Sequence, residues 1–171
     1  MYYERKKLLL TWLLALVGGV LLHFLYDVLP NAVTALLAPV NESLWEHLKV
    51  ICWPFLLGAL LLTRGRPGGL RPWLLALSLT CPAMLALGYG YHVVLGGETL
   101  AVDLGIYLLV MTLGFWLAPR FSGPFTGWKW AVPVVLTAGW GAAILVFTLW
   151  PPANVLFTDL SAVRTWLQIP L

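Results

Sequence analysis

Apolar runs of bilayer-spanning length dominate this chain and leave it few ways to fold. Five stretches, approximately 8–29, 44–62, 72–95, 100–119 and 129–150, can each cross about 30 Å of hydrocarbon as a helix rising about 1.5 Å per residue. Only 10% of the 171 residues are charged and 61% are hydrophobic, with a mean hydropathy of +0.89. A soluble domain carries about a quarter charged residues. The composition therefore excludes that class and predicts an all-α, polytopic membrane helix bundle of about five transmembrane helices.

Between the first two runs, residues 30–43 are themselves apolar and read as a short interfacial or re-entrant segment. Pro54 and Pro82 fall inside the second and third runs, where local kinks are expected. Residues 151–171, with Pro151-Pro152 and Asp159, read as a broken extracytoplasmic tail. The basic start Arg5-Lys6-Lys7 before a leucine-rich run imitates a signal peptide, but the run is too long and no A-x-A site closes it. It is expected to stay as the first helix. Cys52 and Cys81 lie in apolar runs without C-x-x-C spacing and read as small buried hydrophobes.

Charge fixes the orientation. Arg5, Lys6, Lys7, Arg64, Arg66, Arg71, Arg120 and Lys129 all fall on one side of a five-span chain, leaving only Lys49 and Arg164 elsewhere. The positive-inside rule then predicts an N-in, C-out protein. The cations are spread over loops rather than gathered in one patch, so the pI near 9.0 does not indicate nucleic acid. Of seven acids only Glu4 shares the cationic side. Asp27, Glu42, Glu46, Glu98, Asp103 and Asp159 collect at the other end, together with His23, His47 and His92.

Asn41-Glu42-Ser43-Leu44-Trp45-Glu46-His47 is the densest part of that collection. Ser43 and Glu46 have capping-box spacing, and acids suit a helix N-terminus. Trp45 reads as an interfacial anchor. The helix needs neither His47 nor a second carboxylate at Glu42. His23 and Asp27 stand i,i+4 and share a helix face, either as a hydrogen-bonded pair or as an imidazole oriented for a metal. Asp103 lies one turn into the fourth span, where an ionisable group should face the bundle interior or a wet cavity.

Three imidazoles with carboxylates at similar depth fit a divalent-metal site, zinc first. His23, His47 and His92 are the candidate metal ligands and Glu42 and Glu46 the candidate catalytic acids. Asp27, Asn41, Ser43, Asp103 and Asp159 form a supporting polar cluster. No H-E-x-x-H, nucleophile elbow, phosphate loop or dinucleotide fingerprint occurs.

His23-Phe-Leu-Tyr26, Pro39-Val-Asn-Glu-Ser-Leu-Trp-Glu-His-Leu-Lys49, Asp103, Phe147-Thr-Leu-Trp-Pro-Pro152 and Leu156-Phe-Thr-Asp159 together resemble a family of small bacterial multi-span membrane proteins known only as a domain of unknown function. The resemblance covers nearly the whole chain. It implies a multi-pass protein of the bacterial cytoplasmic membrane and no particular activity. A looser likeness is to multi-span zinc hydrolases of the ceramidase and adiponectin-receptor type, which also collect His, Asp and Ser near one leaflet. The leading expectation is a metal-dependent hydrolase acting near the outer leaflet. A non-catalytic subunit that binds or transports a cation or cationic solute, and a structural scaffold, are the alternatives. The expected partners are the lipid bilayer and a lipid, a cation or a cationic small molecule.

Overall fold

The computed structural model describes residues 3–66, 68–121 and 127–162, and among these the regular structure is entirely helical. In chain order the helices are α1 (Arg5–His23), α2 (Leu25–Val28), α3 (Ala32–Leu37), α4 (Leu48–Thr63), α5 (Leu70–Tyr89), α6 (Leu100–Leu117) and α7 (Ala131–Leu149). A π-helical turn, Gly90–Val94, extends α5. Among the described residues four helices are long and apolar enough to cross a membrane: Arg5–His23, Leu70–Val94, Leu100–Arg120 and Ala131–Leu149.

The expected second span is shorter than expected. Residues 44–47 form turns, and α4 begins only at Leu48 and has 16 residues. It is the most enclosed helix, with Leu48, Ile51, Cys52, Phe55 and Ala59 all buried. Sheathed by its neighbours, it need not match the bilayer thickness by itself. It runs antiparallel to α1: His23 meets His47 at one end, while a side chain at Gly58 would touch Thr11 and Ala15 further along. The first expected span is also shorter, since α1 stops at His23 and Phe24 separates it from α2.

Helices of such uniform apolarity gain little from leaving lipid, so close fit between side chains has to hold them together. Phe55, Trp73 and Phe115 from α4, α5 and α6 pack with ring centroids 5.1–5.7 Å apart. Gly19 lets α1 come against α4 and α6. A Cβ there would strike the Tyr107 hydroxyl and lie 2.6 Å from the Val50 carbonyl. The opposite faces of the bundle show Leu9, Leu13, Leu61, Leu109 and Val135 exposed, as lipid-facing helices do and water-facing ones do not.

Both inner prolines are accommodated within continuous helices. A further irregularity of the third span is the π turn, which carries His92. Asn31 caps α3 by accepting from the Val33 and Thr34 N–H groups, while Thr34 accepts from Asn31 N–H. Trp45 is buried rather than interfacial, packed on Trp140, Phe147 and Phe157. Its neighbours include the tail, whose Leu156 carbonyl accepts from Trp45 N–H. Arg164 and the end of the tail lie outside the described residues.

Candidate metal centre

Antiparallel packing brings the ends of α1, α5 and α7 and the starts of α4 and α6 to one pole of the bundle, and most of the acids and the imidazoles meet there. At its centre three side chains aim donor atoms at one point. His23 Nε2 and His47 Nε2 lie 3.3 Å apart, and Glu42 Oε2 is 3.6 Å from the first and 3.3 Å from the second. Zinc–imidazole bonds of about 2.0–2.1 Å set neighbouring tetrahedral donors about 3.3–3.4 Å apart. Two edges of the observed triangle, at 3.3 Å, match that spacing, and the third, between His23 and Glu42, is longer at 3.6 Å.

The supporting contacts point the same way. His47 Nδ1 lies 2.8 Å from the Ser43 carbonyl, which can only accept, so Nδ1 carries the proton. In the neutral ring Nε2 is then a bare lone pair directed at the cluster, the orientation that ligating histidines receive from an outer partner. His23 Nδ1 is buried and has no hydrogen-bond partner among the described residues. Hydrogen bonds from His23 and then His47 hold the Glu42 carboxyl well below the usual carboxylate range, against the opposing effect of its partial burial. His47 precedes the first residue of α4. Burial opposes its charge, but bonds to Glu42 and the Ser43 carbonyl outweigh this and raise its pKa.

Glu46, one helical turn from Glu42, is placed quite differently. It is buried with Lys49, whose Nζ lies 2.5 Å from Glu46 Oε2 and also donates to the carbonyls of Ala35 and Ala38 at 2.7 and 3.1 Å. Glu46 further accepts from Val40 N–H and the Thr148 hydroxyl. Its N–H donates to Ser43 Oγ, which supplies half of the expected capping box. The reciprocal half is absent, since the Glu46 carboxylate turns to Lys49 and Val40, and Ser43 N–H bonds Asn41 Oδ1 instead. Every described partner of Glu46 is structural, and it does not line the cavity beside the trio.

That cavity, about 620 Å³, is lined by His23, Glu42 and His47 and also by His92, Glu98, Asp103 and Tyr107. His92 lines the same cavity but bonds elsewhere than the trio. Its Nδ1 donates to the Gly97 carbonyl at 2.9 Å and its Nε2 lies 2.9 Å from Asp103 Oδ1. Gly96, at φ 65°, turns the chain so that Gly97 can meet it. Asp103 does face the cavity, as its depth in α6 predicts. Asp27 is exposed on α2 and makes no described bond to His23, because the helix breaks at Phe24 and the i,i+4 geometry is lost. Asp159 accepts from the backbone and hydroxyl of Ser161 in a local turn.

Two contributors escaped sequence reasoning. Lys49 counted only as a stray cation, although a lysine inside an apolar run must be paired and so points to Glu46. Tyr107 carried no signal beyond its phenol. Its hydroxyl donates to the Leu16 and Ala15 carbonyls at 2.9 and 3.3 Å and pins α6 to α1 below the cavity.

Fold and site define a polytopic helical membrane protein with a histidine–carboxylate cluster in a cavity at one pole. The chain belongs to the family of unknown function DUF6512, which matches residues 2–165. No curated protein and no solved structure matches it.

Proposed function

We propose that this protein is a divalent-metal-dependent membrane hydrolase, with zinc as the first candidate metal, held by His23 Nε2, His47 Nε2 and a Glu42 carboxylate oxygen. The observation that carries this reading is a triangle of donor atoms, 3.3–3.6 Å on edge, on the wall of a cavity. Two histidines and a glutamate with the fourth position open is a ligand set of catalytic zinc. A divalent ion so held supplies a water acidified toward neutrality and polarises a carbonyl group. The chain's own residues complete the site. The Ser43 carbonyl fixes the His47 tautomer, and Asp103, steadied by His92, presents the carboxylate available to accept a proton. Glu46, tied to Lys49, is unsuited to the catalytic role expected of it, and Glu42 serves as a ligand instead.

The eight cations belong to segments at the opposite pole, so the positive-inside rule directs the site outward from the cytoplasmic membrane. A second reading rests on the three carboxylates Glu42, Glu98 and Asp103 that line one cavity. They equally suit a non-catalytic subunit that accepts a cation or cationic solute. Elemental analysis of purified protein, together with hydrolysis of a p-nitrophenyl acyl ester before and after chelation, separates the two. The hydrolase predicts about one zinc per chain and turnover that chelation removes and zinc restores. Bound metal without turnover of any acyl ester leaves the binding subunit, and absence of metal defeats the metal site itself.

A further inference from the structure

Most of the cavity wall is apolar, although its polar groups define the site. Val20 of α1, Phe24 just beyond its end, and Leu100 and Leu104 of α6 line it, and all four are also exposed on the outside of the bundle. A residue that both lines a cavity and reaches the outer surface marks a mouth. Tyr107 closes the seam between α1 and α6 one level below, through its bonds to Ala15 and Leu16. Above it the seam opens sideways, between two helices whose exposed residues nearby include Val17, Leu21, Val102 and Leu108. In a membrane this mouth meets acyl chains rather than water.

From this geometry we infer that the cavity takes a single-chain acyl amphiphile from the bilayer through the α1–α6 seam, its chain along the apolar wall and its carbonyl linkage at the His23–Glu42–His47 trio. The volume fits one chain. At about 30 Å³ per water-sized group, 620 Å³ holds on the order of twenty heavy atoms, too few for a two-chain phospholipid. The inference names a substrate class for the hydrolase and rests on that reading for its chemistry only. Hydrolysis adds one water to the acyl ester or amide. The water oxygen bonds the carbonyl carbon, the alcohol oxygen or amine nitrogen leaves with a proton, and a fatty acid remains.

The fatty acid is therefore also the probe. Full-length zinc-loaded protein in phospholipid nanodiscs would be photolabelled with palmitic acid carrying a mid-chain diazirine, and the adducts mapped by mass spectrometry. Adducts are expected on the cavity wall, at Val20, Met84 or Leu104, and unlabelled palmitate should compete them away. Leu104→Trp fills the mouth and should cut these adducts about tenfold with zinc per chain unchanged, and Val20→Trp on the other lip should act alike. Adducts confined to outward leucines such as Leu9 and Leu109, or both tryptophan variants labelled as strongly as wild type, overturn the inference. Cavity adducts in a protein that binds no zinc would retain the amphiphile and remove the hydrolase. Bound zinc with only outward adducts would do the reverse.

Discussion

Glu42 and Glu46 lie one turn apart in the same short segment, yet they belong to two different kinds of site. Glu46 is enclosed, with Lys49, Val40 N–H and Thr148 all bonding its carboxylate. That knot joins α3, α4 and α7 and leaves the Glu46 carboxylate no open side toward the cavity. Glu42 is 47% exposed at the side chain and shares its oxygen with the Nε2 atoms of two imidazoles. A carboxylate's role here follows from what completes its shell. A fixed ammonium completes Glu46, whereas Glu42 and its two histidines still offer a position to a ligand.

Breaking the enclosed site should cost the most. Lys49→Met strands a buried carboxylate, and thermal unfolding in detergent should show a loss of about 3–5 kcal/mol, most of it recovered when Glu46→Gln is added. A tolerant Lys49→Met would erase the contrast. The open site should respond in metal rather than in stability. Glu42→Gln should leave unfolding within about 1 kcal/mol of wild type, while zinc affinity in a competition titration falls by more than the about 10–100-fold typical of losing an outer partner. Thr148→Ala removes one hydrogen bond to Glu46 and should cost about 1 kcal/mol without touching zinc affinity.

The smallest effect is a pH dependence of the metal-free protein. Glu42 is lowered from 4.5, so its contribution is present above that value and fades as pH falls through the folded pKa. His47 is raised from 6.5, so its contribution is present below that value and fades as pH rises through the folded pKa. Metal-free melting temperature should therefore be highest between these two limits, and Glu42→Gln should flatten the profile.

Much of this was legible in the sequence because membrane burial is a strong rule. Of the five apolar runs, four hold helices long and apolar enough to span among the described residues, and the uneven charge marks the two poles. Glu42 and His47 stand out because helix capping does not need them, and with His23 they make up the open site. The remainder depended on directions that a one-dimensional pattern does not carry. His23 and Asp27 have helical spacing, but the helix ends between them. His92 shares the trio's depth, yet its π turn aims it at Asp103. Glu46 matched a capping box, and its electrostatic partner Lys49 sits three residues on, beyond that motif. Trp45 resembled an anchor until the tail and α7 covered it.

The central claim is that the open site binds metal through His23, Glu42 and His47. Zinc K-edge X-ray absorption of the purified protein tests it most directly. The account predicts two imidazole nitrogens and oxygen ligands at about 2.0–2.2 Å, with one imidazole lost in His23→Ala and the spectrum unchanged in His92→Ala. Sulfur ligands at about 2.3 Å, or a spectrum that changes in His92→Ala but not in His23→Ala, would contradict it.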